Sequence, residues 1–157
     1  MLKDSLRFLK INALLFKNAL EGLSEEELHR LPSDHSNPMV WIGGHVLNSR
    51  VSLARYVGTV GHCPWSELFK RQSRLQSVSA YPALDEILDC WNTTNSALKA
   101  RCRELTPEVL SGPGPSQLPI EVDTLSSGIS FLVWHESYHI GQMGYLRKWL
   151  GHEGLVG

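Results

Sequence analysis

The apolar positions of this chain recur at helical spacing in four stretches, and nowhere convincingly with the period of two that a half-buried strand requires. The first stretch predicts a helix from Leu2 to Leu20. Leu2, Leu6, Leu9, Ala13, Phe16 and Leu20 follow steps of 4, 3, 4, 3 and 4, which line one helix face. Gly22 stops it. Ser24 and Glu27 then stand at capping-box spacing, which predicts one or two short turns inside a polar segment. The second helix is announced by Asn37-Pro38, a cap residue followed by Pro at the first helical position, and runs through Val40, Gly44, Leu47, Val51 and Ala54 to Gly58. Pro82 opens the third, with Asp85 and Glu86 in its first turn, where the helix dipole favours acids. Its stripe is Leu84, Ile87, Trp91, Asn95, Leu98, Cys102 and Leu105. The fourth begins near Thr124 and runs to Leu150, with Gly151 as its stop.

Four helices of this length predict an all-α fold, an antiparallel four-helix bundle with long crossover connections over residues 59–82 and 106–123. The second connection, "TPEVLSGPGPSQLPIEVD", is too rich in Pro and Gly to be helical throughout. Both connections are expected to cap one end of the bundle, where a pocket would lie. Gly43-Gly44 inside the second helix costs about 1 kcal/mol per Gly relative to Ala, a cost best understood if another helix packs very close there. Phe8, Ile11 and Leu15 lie off the seam of the first helix. They either pack under the connections or form an interface.

Size and composition narrow the picture. A chain of 157 residues is expected to form one domain spanning 1–157, with a real core. With 42% apolar residues, 20% charged residues and a formal net charge of −1, there is no electrostatic case for nucleic acid or an anionic membrane as partner. No apolar run is long enough to span a bilayer, and the opening "MLKDSLRFLKINALLF" carries charge throughout, unlike a signal peptide. Cys63, Cys90 and Cys102 are odd in number. The latter two are expected on one helix about 18 Å apart, too far to pair, which suits a reducing cytoplasm.

The chemistry concentrates in the last helix. A 4, 3, 4, 3, 4, 3 walk from Gly128 gives Leu132, His135, His139, Gln142, Leu146 and Trp149, a seam apolar at its ends and polar in the middle. Residues four apart on a helix differ by about 40° in direction, so His135 and His139 are expected to project together into the interior, with Glu136 and Met143 beside the seam. Two facing histidines repel when protonated and leave acceptor nitrogens unpaired when neutral; a divalent metal removes both problems. His135, Glu136 and His139 also spell H-E-x-x-H, the zinc site of many peptidases. The extended peptidase form fails, since Gln142 and Tyr145 stand where Gly and His would be. Upstream, His45 is the best third ligand, directly after Gly43-Gly44, where facing helices could meet metal–nitrogen bonds of about 2.0–2.1 Å. His62-Cys63 is a lesser candidate at the bundle end, and His29, His35 and His152 are expected at the surface.

The segments "NPMVWIGGHVLNSRVSLARYVG" and "FLVWHESYHIGQMGYLRKWLG" resemble the two signature segments of the DinB-like (YfiT-like) family of metalloenzymes. The resemblance implies His45, His135 and His139 as metal ligands, a four-helix bundle with a long crossover, and often a homodimer. It implies an activity drawn from thiol S-transferases using low-molecular-weight thiols such as bacillithiol, a mycothiol-dependent isomerase, or metal-dependent hydrolases. Glu136 is there a common neighbour of the first helix-four ligand rather than a peptidase base. The expectation is a cytoplasmic enzyme with one divalent ion per chain, zinc or nickel, an open coordination position and a small-molecule substrate. Glu136, Gln142 and Tyr138 are its supporting or pocket residues. The alternative is a non-catalytic, stress-related metal-binding bundle.

Overall fold

A computed structural model describes residues 2–156, with the side chains of residues 4–156. The Leu2 side chain of the first seam lies outside these. The helices are α1 (Leu2–Leu20), α2 (Glu25–His29), α3 (Met39–Tyr56), α4 (Leu84–Cys102), α5 (Pro107–Ser111) and α6 (Leu125–Trp149), with a 3-10 turn at Val78–Ala80. Among the described residues the only β pairing is an isolated bridge between Pro113 and Thr124. The Ser24–Glu27 capping box opens α2, as its spacing predicts. Pro38 is itself the cap residue of α3, one position later than expected, and α4 starts at Leu84 behind Ala83 rather than at Pro82. The fourth long helix, α6, is capped by Thr124 on the Ser127 amide. No described helix is long and apolar enough to cross a membrane.

The long helices α1, α3, α4 and α6 form the four-helix bundle. In it α6 packs between α1 and α3, and α4 packs against α3 and more lightly against α1. Cross-helix contacts give the directions. Ser5 meets Ser130, Asn12 meets Ser137, and Arg147 reaches the Glu21 carbonyl, so α1 and α6 run parallel. Arg50 meets Asn95, and Arg101 reaches the Val57 carbonyl, so α3 and α4 run parallel as well. The antiparallel neighbours are α3 with α6, through Gly43 near Met143 and Ser49 on His135, and α1 with α4, through Phe16 on Trp91 and Leu9 in one cluster with Leu98. A parallel α3–α4 pair explains the first long connection. The chain must return along the bundle before it can start α4, so this segment runs beside α3 instead of capping an end.

The core falls into two apolar clusters. One holds Phe16, Trp41, Phe69, Trp91 and Met143; the other holds Leu9, Leu53, Leu98, Ile129 and Leu132. On each long helix a polar residue stands at or beside the change from one cluster to the other: Asn12, Arg50, Asn95 and Glu136. The buried stripe of α6 runs through Ile129, Leu132, Val133, Glu136, Ile140, Met143 and Leu146. This corrects the seam read from sequence, since Glu136 and Met143 are at its centre while His135, His139 and Gln142 are half-buried and Trp149 is exposed.

Candidate metal centre

His45 projects from α3, and His135 and His139 from α6, at the antiparallel contact of those helices. Their ring nitrogens come together: His135 Nε2 lies 3.4 Å from His45 Nε2 and 3.1 Å from His139 Nε2. The other nitrogen of each ring has a partner outside the trio. His45 Nδ1 is 2.7 Å from the Phe69 carbonyl, His139 Nδ1 is 2.8 Å from Gln142 Oε1, and His135 Nδ1 is 3.2 Å from the Ser49 hydroxyl. Carbonyl oxygens only accept, so His45 and His139 each carry the proton on Nδ1 and turn the Nε2 lone pair inward. Bonds of this kind set the tautomer and ring angle of metal-bound histidines.

Burial keeps the rings neutral. It lowers the His45 pKa, against the Phe69 carbonyl, and lowers the His139 pKa, against Gln142. Burial, with the neighbouring His139 and His45, pushes His135 down to about 4. The acceptor nitrogens of His45 and His139 both face His135 Nε2, and a proton there can serve only one of them, which leaves a lone pair without a donor. Tetrahedral ligand nitrogens about 2.0–2.1 Å from one ion stand about 3.3 Å apart, and the 3.1 and 3.4 Å separations lie on either side of that value. The donor set therefore fits a divalent ion. Among the described residues no Cys, Asp or Glu joins the three histidines in this cluster.

Phe69 was not anticipated as part of the site. Its ring fills the space over Gly44, where an added Cβ would sit 2.2 Å from a ring carbon. This corrects the expected helix approach: the Gly-Gly pair admits an aromatic ring from the long connection, and around Gly43 the nearest atoms are at an ordinary 3.7 Å. The seated ring brings the Phe69 carbonyl to His45. Trp41 stacks on the His45 ring at 5.1 Å between centroids and anchors the same connection by donating to the Leu68 carbonyl. His45 is thus held on one side by a carbonyl of an irregular segment and on another by Trp41 of its own helix.

Glu136 is neither a peptidase base nor a surface group. It is fully buried, and Arg50 Nε and Nη2 each donate to one of its oxygens at 2.6 Å. Arg50 also donates to Asn95 Oδ1, stacks over Trp91 at 4.5 Å, and is itself buried; Asn12 donates to Glu136. Burial raises the Glu136 pKa and the Arg50 guanidinium opposes this. Two guanidinium N–H groups on its two oxygens favour the ionised form of the carboxylate. Arg50 was missed because nothing in its local pattern marks it. Tyr138 is exposed with its edge on the His139 ring at 5.1 Å, and with Gln142 it borders a groove of about 850 Å³ that extends toward His35 and Trp149. His62 is exposed and Cys63 packs in the core, so neither joins the trio; His29 and His152 pair with Glu25 and Glu27.

Comparison with known proteins agrees with this architecture. Residues 13–143 match the family model of the DinB superfamily. The fold is similar to the crystal structure of a DinB-like protein from Bacillus cereus, with a TM-score of 0.73 at 17% identity, covering 99% of this chain and 95% of that one. It is also similar to YfiT from Bacillus subtilis, described as a probable metal-dependent hydrolase with an unusual four-helix bundle topology, with a TM-score of 0.68 at 18% identity, covering 97% of this chain and 89% of that one. No curated protein matches the chain in sequence.

Proposed function

The chain belongs to the DinB superfamily, and from that premise we propose a divalent-metal-dependent enzyme in which His45, His135 and His139 hold one ion and leave a position open for a small nucleophile. The observation that carries this reading is the convergence of three Nε2 atoms whose Nδ1 partners all lie outside the trio. Imidazole ligands suit zinc and nickel alike. An ion held by three neutral imidazoles keeps its full charge and supplies Lewis acidity that lowers the pKa of a bound thiol or water. The outer partners Phe69, Ser49 and Gln142 fix the rings, and Trp41 and Tyr138 flank them.

The absence of a carboxylate in the described cluster bears on the substrate. With Glu136 held by Arg50, no acid among the described residues joins the histidines to take a proton from the nucleophile. A thiol of pKa about 8.5 asks much less of the ion than water at about 15.7. This favours a thiol S-transferase that uses a low-molecular-weight thiol; the likeness to YfiT favours metal-dependent hydrolysis as the second reading. The test is a screen of several thiols against the cobalt-substituted protein, with monochlorobimane as electrophile, run beside ester substrates. Transferase activity requires a thiol-induced change in the cobalt spectrum and a rate increase that His45→Ala abolishes. Neither effect with any thiol rejects the transferase, ester turnover alone selects the hydrolase, and silence throughout selects the non-catalytic metal-binding bundle. The three free cysteines are in keeping with a reducing cytoplasm.

We also infer a homodimer. Phe8, Ile11 and Tyr145 are 51%, 42% and 70% exposed and line one groove between α1 and α6, so they are not packed beneath the connections. Light scattering that finds only monomer at roughly tens of micromolar refutes this.

A further inference from the structure

A second cavity lies away from the three histidines, between α1 and α4. These helices touch closely where Phe16 stacks on Trp91 at 3.9 Å between centroids, and beyond that contact their faces enclose about 430 Å³. Leu6, Leu9, Ala13, Leu14 and Leu98 supply apolar surface, and Asn92 and Asn95 are polar groups on the α4 side. The charge is of one sign: Lys10, Lys17, Arg50, Lys99 and Arg103 line the cavity, and no acidic residue does. In a chain with 15 basic and 16 acidic residues that segregation is not the average surface. A solvated rim of lysines alone would carry little weight. Arg50 is different, because it is 2% exposed and still reaches this cavity. Its Nε and Nη2 are committed to Glu136, with Nη2 also 3.4 Å from the Leu9 carbonyl, while Nη1 donates to Asn95 at 2.8 Å. Nη1 carries a second N–H beyond the one given to Asn95.

We propose that the α1–α4 cavity binds an amphipathic organic carboxylate with an alkyl chain of medium length, its tail on the leucines and its head group among the cations. The size falls within the range of small-molecule sites, and an apolar wall with a few convergent polar groups is their usual composition. Charge selects the class: an alkyl ammonium of the same length meets Lys10, Lys17, Lys99 and Arg103, with no acid in the lining and the Glu136 carboxylate already taken by Arg50. The site does not depend on the reading of the metal centre.

Cys102 lines the cavity and reports on it, while Cys90 on the same helix does not line it and serves as the internal reference. The experiment measures maleimide alkylation of both thiols by peptide mass spectrometry, with decanoate, decylamine or no ligand present. At ten times its dissociation constant decanoate slows Cys102 about tenfold by mass action, leaves Cys90 unchanged, and decylamine protects neither. Lys10→Glu combined with Lys99→Glu weakens decanoate by on the order of tenfold, as two rim charges reversed should. Ala13→Phe fills the cavity and removes protection, and the charge-reversed pair keeps the test decisive if that variant does not fold. His135→Ala retains full protection, which separates this site from the histidine cluster. Equal protection by decanoate and decylamine, slowing of Cys90 together with Cys102, or no protection below the micellar range each overturns the proposal. So does a Cys102 that is unreactive without ligand and becomes reactive when Lys99→Glu dissociates a dimer, since a second copy would then cover the cavity.

Discussion

His135 and Glu136 are consecutive on α6, about 100° apart around the helix, and they enter two polar clusters of opposite construction. Around Glu136 each carboxylate oxygen has its complement. Arg50 and the carboxylate form a two-pronged pair, Asn95 and Asn12 take further contacts, and one residue from each long helix meets in the break between the two apolar clusters. Around His135 the complement is incomplete: His45 and His139 both turn acceptor nitrogens toward His135 Nε2, and a proton on that nitrogen serves only one of them. The Arg50–Glu136 pair of the first cluster is buried with its charges matched, while the second cluster is half-buried and suited to a cation. Burial alone therefore does not identify a functional polar group. What the neighbouring groups leave unsatisfied does.

The largest test of this contrast removes one group from each cluster. Glu136→Gln leaves Arg50 as a buried charge without its counter-ion and should cost about 3–5 kcal/mol, a large share of a stability of about 5–15 kcal/mol. Because Glu136 does not touch the inward nitrogens, the folded variant should still bind metal. His135→Ala with His139→Ala should do the reverse, losing the expected complement of about one ion per chain while leaving the metal-free protein nearly as stable as before. Urea unfolding in chelator and metal analysis after dialysis measure both. Equal metal in wild type and the double His variant sinks the site, and complete loss of peptide hydrolysis in Glu136→Gln, from a clearly active wild type, revives the peptidase reading.

This contrast was only half legible in the sequence. The histidines were visible because H-x-x-x-H puts two like groups on one face, and His45 because it follows a Gly-Gly pair. The polar layer was not. A 4, 3 walk begun at Gly128 starts on one edge of the buried stripe, about 80° around the helix from Glu136, so it follows the half-buried face that carries the histidines and ends on an exposed Trp149. The same walk begun one residue later, at Ile129, gives Val133, Glu136, Ile140 and Met143, which places Glu136 inside and asks for its cation. Asn95, where the stripe of the third long helix turns polar, marked the level at which to look for Arg50. Phe69 left no such trace. It lies in an irregular segment, and the glycines opposite implied a close neighbour without saying which.

A smaller effect is expected where the connection meets the metal centre. Gly44→Ala places a Cβ within 2.2–2.4 Å of three Phe69 ring carbons, and the ring must move with the carbonyl that holds His45. Overpacking of this kind costs about 1–3 kcal/mol, and loss of an outer partner of a ligand lowers metal affinity about 10–100-fold. Gly43→Ala is the matched control, since its nearest neighbours lie at 3.7 and 3.8 Å and the helix gains from Ala. Metal titration and thermal unfolding of the two variants separate packing from ligand support. If Gly44→Ala loses stability and keeps wild-type affinity, the Phe69 carbonyl does not set the His45 ring.

The smallest effect is read by pH, in the metal-free protein. The folded His135 pKa is about 4, with burial the main cause and the neighbouring histidines adding to it, and His45 and His139 are lowered in the same direction. In the unfolded chain a histidine titrates near 6.5. Above that value both states are neutral and the rings contribute no pH dependence. As pH falls from about 6.5 toward 4 the unfolded chain takes up protons that the folded rings refuse, so stability declines through this window and levels off below it. Because the rings are partly exposed, solvent screening limits the loss from His135 to on the order of 1 kcal/mol. His135→Ala should flatten the slope between pH 6.5 and 4, and Glu136→Gln, although far less stable at every pH, should retain it. A slope that persists in His135→Ala and disappears in Glu136→Gln would assign the acid sensitivity to the closed cluster, and the contrast between the two would fail at the point where their chemistry differs most.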